Sequence, residues 1–136
     1  MFTRNTPIRR LPLWAALISA LLISQSLSAE LISGDDPAFT YYGRVDFSDP
    51  ATPAFNWPGN YVEFGVENAD SIELVLDDAR GENLYQVIVN GNEAEPIVID
   101  CEAGEHSYTL DLPTSTSRLV VFRRTETTTG QTLFKG

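Results

Sequence analysis

Tyr85-Gln-Val-Ile-Val-Asn90-Gly91-Asn-Glu93 is the stretch whose reading decides the fold. A run rich in β-branched and aromatic residues leads into Asn-Gly, the dipeptide that best accepts the two positive φ angles of a type I′ turn. The backbone twist of that turn matches the right-handed twist of paired strands, so the segment predicts a β-hairpin. The return strand is Ile97 to Asp100. Pro96 in front of it suits a strand start or a sheet edge, because proline has no N–H to give to a ladder.

Working outward, the same short period recurs. Ser71 to Asp77 alternates, with Ile72, Leu74 and Leu76 facing in and Ser71, Glu73 and Asp77 facing out. Tyr61 to Val66 alternates likewise, with Val62, Phe64 and Val66 on one face. Phe39 to Phe47 reads as a first strand, followed by a long loop around Phe55 and Trp57 marked by Asp49, Pro50, Pro53, Pro58 and Gly59. Beyond the hairpin, His106 to Leu112 sets Tyr108, Leu110 and Leu112 on one side. Leu119 to Arg124 is an apolar run ending in two arginines, Thr125 to Gln131 is polar, and Thr132 to Phe134 starts a last strand. No helical period follows Glu30. About seven or eight short strands at this spacing predict an all-β antiparallel sandwich of the jelly-roll kind. The Cys–Trp–Cys pattern of immunoglobulin domains is absent.

The N-terminus has a different character. Arg4, Arg9 and Arg10 precede the apolar run Leu11 to Ile23, and small residues lead to Ala29. This is the layout of a secretory signal peptide, residues 1–29, with cleavage after Ala29 and a mature domain at 30–136. An uncleaved anchor is the competing reading, but the run is short of the ~20 residues that span a bilayer. The expected location is therefore secreted or periplasmic, with no membrane contact after cleavage. The three arginines are the only charges in residues 1–29, so their removal takes the formal net charge from −10 to −13. A surface that acidic repels nucleic acid and anionic lipid and suits neutral or cationic partners.

The residues needed for catalysis do not assemble in this chain. Cys101 is the single cysteine, so no intrachain disulfide forms, and it follows Ile97-Val-Ile99 as a small core residue. His106 is the single histidine, and there is no G-x-S-x-G elbow for a Ser-His-Asp triad. Asp35-Asp36 and Asp77-Asp78 read as turn and strand-end pairs, without the spacing of a calcium loop. No metal or cofactor is expected. Trp57 is the most informative side chain, since a flat ring in a Pro- and Gly-rich loop can stack on a sugar face. Tyr41 and Tyr42 are its candidate companions, and the competing reading has Trp57 plugging one end of the sandwich.

Several segments resemble, in order, the N-terminal domain of carbohydrate esterase family 2. They are Tyr42-Gly43-Arg44-Val-Asp-Phe-Ser-Asp, Ala54-Phe-Asn-Trp57-Pro58-Gly59, Tyr85-Gln-Val-Ile-Val-Asn90-Gly91, Tyr108-Thr-Leu with Val121-Phe-Arg-Arg124-Thr125-Glu126, and Thr132-Leu-Phe-Lys-Gly136. The resemblance implies a jelly-roll domain placed before an SGNH-type hydrolase domain that deacetylates plant polysaccharides such as xylan. Its serine and histidine would lie after Gly136, so no catalytic residue is carried over, and the chain reads as a truncated or split esterase. On this reading Gly43 lets the first strand approach its neighbours closely. Arg44, Arg124 and Glu126 form an ion-pair cluster or face the hydrolase domain. A domain that packs on such a partner should expose an apolar patch. The alternative is a free-standing carbohydrate-binding module with Trp57 and Tyr42 at its site.

Overall fold

A computed structural model describes residues 30–116 and 118–136; the predicted signal peptide lies outside the described residues. Among the described residues ten strands run in chain order: β1 Thr40–Tyr42, β2 Val45–Asp46, β3 Ala54–Phe55, β4 Tyr61–Gly65, β5 Ser71–Asp78, β6 Leu84–Val89, β7 Ile97–Asp100, β8 Gly104–Asp111, β9 Arg118–Arg123 and β10 Thr132–Phe134. They form two antiparallel five-stranded sheets, ordered β1-β4-β9-β6-β7 and β2-β3-β10-β5-β8. This is the expected β-sandwich. The deciding turn forms as its residues require, with φ 50° at Asn90 and 76° at Gly91. The Asn92 N–H closes it on the Val89 carbonyl at 2.9 Å. The return strand does not pair at once, since the β6–β7 ladder begins at Val87–Ile97. Proline at position 96 cannot donate to the ladder, and β7 lies at the sheet edge, as Pro96 suggests.

Alternation sets which side chains meet between the sheets. Leu74 and Leu76 of β5, Tyr85 and Val87 of β6 and Leu119 and Val121 of β9 are buried together with Phe55, Val62 and Phe134. Phe39 caps this core edge-on, its ring 5.1 Å from Phe134 and 5.3 Å from Phe64.

Two strand expectations are corrected. Phe39 to Phe47 is not one strand. Gly43, at φ 90°, breaks it into β1 and β2, which join different sheets. The loop around Phe55 contains the short strand β3, which bridges β2 and β10. Position 43 demands glycine: a Cβ there would stand 3.2 Å from Asn60 Oδ1 and 3.3 Å from Asn60 Cα. Asn60 is itself buried and donates to the Arg44 carbonyl at 2.9 Å.

A polar seam crosses the interior. Arg123 lies in phase with Leu119 and Val121 on β9 and is fully buried. Its guanidinium donates to the carbonyls of Phe55, Glu126 (3.0 Å), Gly130 (2.6 Å) and Thr125 (3.3 Å) and to Thr129 Oγ1 (3.2 Å). Four carbonyls around one cation leave it well solvated by the protein. Thr129 and Thr125 in turn donate to Asn83 Oδ1 at 2.5 and 2.6 Å, and Asn83 donates to the buried Asp78 at 2.6 Å. Asp78 also accepts from Thr132 Oγ1 at 2.6 Å and from the Arg80 and Gly81 N–H groups. Burial alone would raise its pKa, but these donors together hold the carboxyl below the usual carboxylate range. The seam ties β3, β5, β9, β10 and the Thr127–Thr129 turn together across both sheets. The Tyr85 hydroxyl is buried among these elements and has no hydrogen-bond partner among the described residues.

Candidate functional site

Antiparallel sheets that face water usually alternate apolar-in and polar-out. The first sheet departs from this on its outward face. Register places Tyr42, Tyr61, Phe122, Gln86 and Val98 in one row across all five strands. The next row holds Thr40, Glu63, Val120 and Ile88. Tyr42 and Tyr61 stack at 4.5 Å with an interplanar angle of 13°, and Tyr61 lies 6.3 Å from Phe122. A groove of about 480 Å³ runs over Tyr61, Phe122, Val120 and Ile88 toward Gly91 and Glu93 of the β6–β7 turn. Arg118 stands at its rim, bound to Glu63 by two bonds of 2.6 and 2.8 Å. That pair holds the Glu63 carboxyl below, and the Arg118 guanidinium above, its ordinary range.

Trp57 sits apart from this row, in the β3–β4 loop. It is 42% exposed, so it does not plug the sandwich. The Arg44 guanidinium lies 4.4 Å over its ring, a cation–π contact that occupies one stacking face. Tyr42 therefore belongs with Tyr61 and Phe122, and Trp57 with Arg44. Tyr41 turns inward and donates to the Gly34 carbonyl at 2.7 Å. Arg124 and Glu126 are exposed, and neither joins Arg44 in an ion pair; the pairs among the described residues are Arg118–Glu63 and Lys135–Glu105. The arginine with structural consequence is Arg123, one position before the predicted one. Its place in the alternation Leu119, Val121, Arg123 is the signal that could have found it.

Cys101 is buried, and burial pushes its thiol up to about 12. His106 contacts the Ala103 carbonyl at 3.1 Å. Asp36 accepts from the Ala38 N–H at 2.8 Å in a turn. Among the described residues no three His, Cys, Asp or Glu side chains converge as metal ligands.

A second apolar surface surrounds the end of β10. Lys135 and Gly136 continue the pairing with Val75, at 2.9 and 2.8 Å. Leu31 and Ile32 stand beside Gly136 at 58% and 51% exposure. They border a groove of about 680 Å³ whose other walls include Phe39, Phe64, Val66 and Ile72.

Sequence comparison decides the kinship of this sandwich. The family described as carbohydrate esterase 2 N-terminal matches residues 41–136. The chain belongs to this family. A curated relative, the cellulase/esterase CelE of Acetivibrio thermocellus, is 34% identical over 105 residues, covering 75% of this chain and 12% of that protein. A family two carbohydrate esterase from Cellvibrio japonicus superposes with a TM-score of 0.66 at 22% identity, over 77% of this chain and 31% of that one. A family two carbohydrate esterase from Clostridium thermocellum, solved in complex with cellohexaose, gives 0.60 at 32% identity, over 72% of this chain and 30% of that one. This carbohydrate esterase 2 N-terminal domain thus spans under a third of those relatives. The carbohydrate-binding module CBM36, solved with calcium and xylotriose, shares the fold at 9% identity with a TM-score of 0.55.

Proposed function

We propose that this chain is the non-catalytic N-terminal domain of an exported carbohydrate esterase, acting beside an SGNH-type hydrolase domain that removes acetyl groups from plant polysaccharides such as xylan. The family match over residues 41–136 carries this reading. The apolar groove beside Gly136, with Leu31 and Ile32 exposed at its border, supports it as a surface for a partner domain to cover. Export rests on the basic, apolar and small-residue order of residues 1–29.

In the whole enzyme an activated serine would attack the acetyl carbonyl, and backbone donors would hold the oxyanion. The β-sandwich would buttress that domain and shape its cleft, its acidic surface tolerating a neutral polymer. Reading the gene past the Gly136 codon tests the proposal. The expected outcome is an in-frame SGNH-type domain, with the full product releasing acetate from acetylated xylan and losing that activity when its serine is replaced. A stop codon with no hydrolase-like sequence beside it refutes the reading.

A further inference from the structure

The outward face of the first sheet has the composition of a covered surface. Tyr61, Phe122, Val120 and Ile88 line its groove, and Tyr42 and Val98 flank it at 41% and 53% exposure. Six aromatic or aliphatic side chains where an antiparallel sheet normally shows polar ones point to an occupant.

The polar groups among them indicate its chemistry. The Gln86 carboxamide and the Tyr42 and Tyr61 hydroxyls make no hydrogen bond within the described residues, and all three lie in one cross-strand row with the rings. A purely apolar partner would bury these groups unpaired, at roughly 1–3 kcal/mol each. A ligand that alternates C–H patches with hydroxyls satisfies both kinds of group at once. Charge narrows the choice. Arg118 is already neutralised by Glu63, and Glu93 stands at the far wall, so among the described residues the groove offers no free cation to an anionic ligand. From β4 to β6 is two strand spacings, roughly 10 Å, the span of about two linked sugar rings.

We propose that this groove is a glycan-binding site that holds consecutive sugars of a neutral, linear β-linked polysaccharide lying across the strands. Tyr61 and Phe122 form its apolar wall, Gln86 and the tyrosine hydroxyls take the sugar hydroxyls, and Tyr42 extends the contact to the sheet edge. The inference takes from the proposed function only the class of polymer. It does not require that the hydrolase domain be present.

Affinity electrophoresis of the chain in native gels tests it, with hydroxyethyl cellulose, glucomannan or arabinoxylan as neutral probes and polygalacturonate as the anionic one. The expected result is retardation by at least one neutral polymer and none by polygalacturonate. Tyr61→Ala and Phe122→Leu should each weaken retardation at least ten-fold and Gln86→Ala several-fold, while Trp57→Ala leaves it unchanged. Phe122→Leu and Gln86→Ala keep the sheet filled, and a thermal melt shows that each variant is folded. Three outcomes overturn the proposal: a folded wild type that no neutral polymer retards, unchanged binding in the folded groove variants, or loss of binding with Trp57→Ala instead. The esterase reading survives all three, because acetate release by the full product is read separately.

Discussion

Arg123→Met is the substitution that most directly tests the account of the interior. Methionine approximates the length and volume of the arginine stem but removes every donor. The Phe55 and Gly130 carbonyls then lose their shortest partner, the Glu126 carbonyl loses a 3.0 Å bond while keeping the 2.6 Å bond from Thr129 Oγ1, and Thr125 and Thr129 each lose a longer one. Hydrogen bonds from a charged group contribute about 1.5–3 kcal/mol each, but they are not additive, and the variant no longer desolvates a cation. With three short bonds dominating, the net loss should be about 3–5 kcal/mol. That is a large share of the ~5–15 kcal/mol that a domain has. At about 4–8 °C per kcal/mol for a domain near this size, the melting temperature should fall by roughly 12–40 °C. Urea unfolding followed by near-ultraviolet circular dichroism measures it, with Arg124→Met as control. Arg124 is exposed, so its replacement should stay within about 0.5 kcal/mol of wild type. Equal midpoints for the two variants, or a loss below 1 kcal/mol at Arg123, would refute the reasoning about the carbonyl cage.

The same seam predicts an acid response. Because the folded-state pKa of Asp78 is depressed, the unfolded chain binds the proton first as pH falls. The contribution of Asp78 is complete above the ordinary carboxylate range, near 4, and is lost as pH drops through its lower folded value. Asp78→Asn should lower the urea midpoint at pH 6 and flatten its decline between pH 5 and 3; parallel declines in both proteins would contradict this. Cys101, buried and with its thiol pushed up to about 12, should resist alkylation in native buffer at pH 8 and react fully in urea, as mass spectrometry can read. Rapid native labelling would mean that the strand end around it opens readily. Gly43→Ala should cost about 1–2 kcal/mol, from a residue held at φ 90° against Asn60. Gly59→Ala, also at positive φ but with no heavy atom of the described residues beyond its chain neighbours within 4 Å of the added Cβ, should cost less in the same denaturation series.

Much of this protein was determined locally. The Asn90–Gly91 turn, the inward set Leu74 and Leu76, and the edge position of β7 behind Pro96 follow from φ preferences, a period of two and a missing N–H, all carried by neighbours in the chain. Those features, with motifs in a recognisable order, were enough for the sandwich and for its family. Long-range pairing decided the rest. Whether Phe39 to Phe47 stayed one strand depended on Asn60, whose close approach meets the turn at Gly43. Which of two adjacent arginines went inside depended on the phase of β9, visible in its alternation but meaningful only once five backbone and side-chain acceptors converged on that point. The aromatic row of Tyr42, Tyr61 and Phe122 had no local signature at all. Its members come from three strands far apart in the chain, and only the register of β1, β4 and β9 sets them side by side.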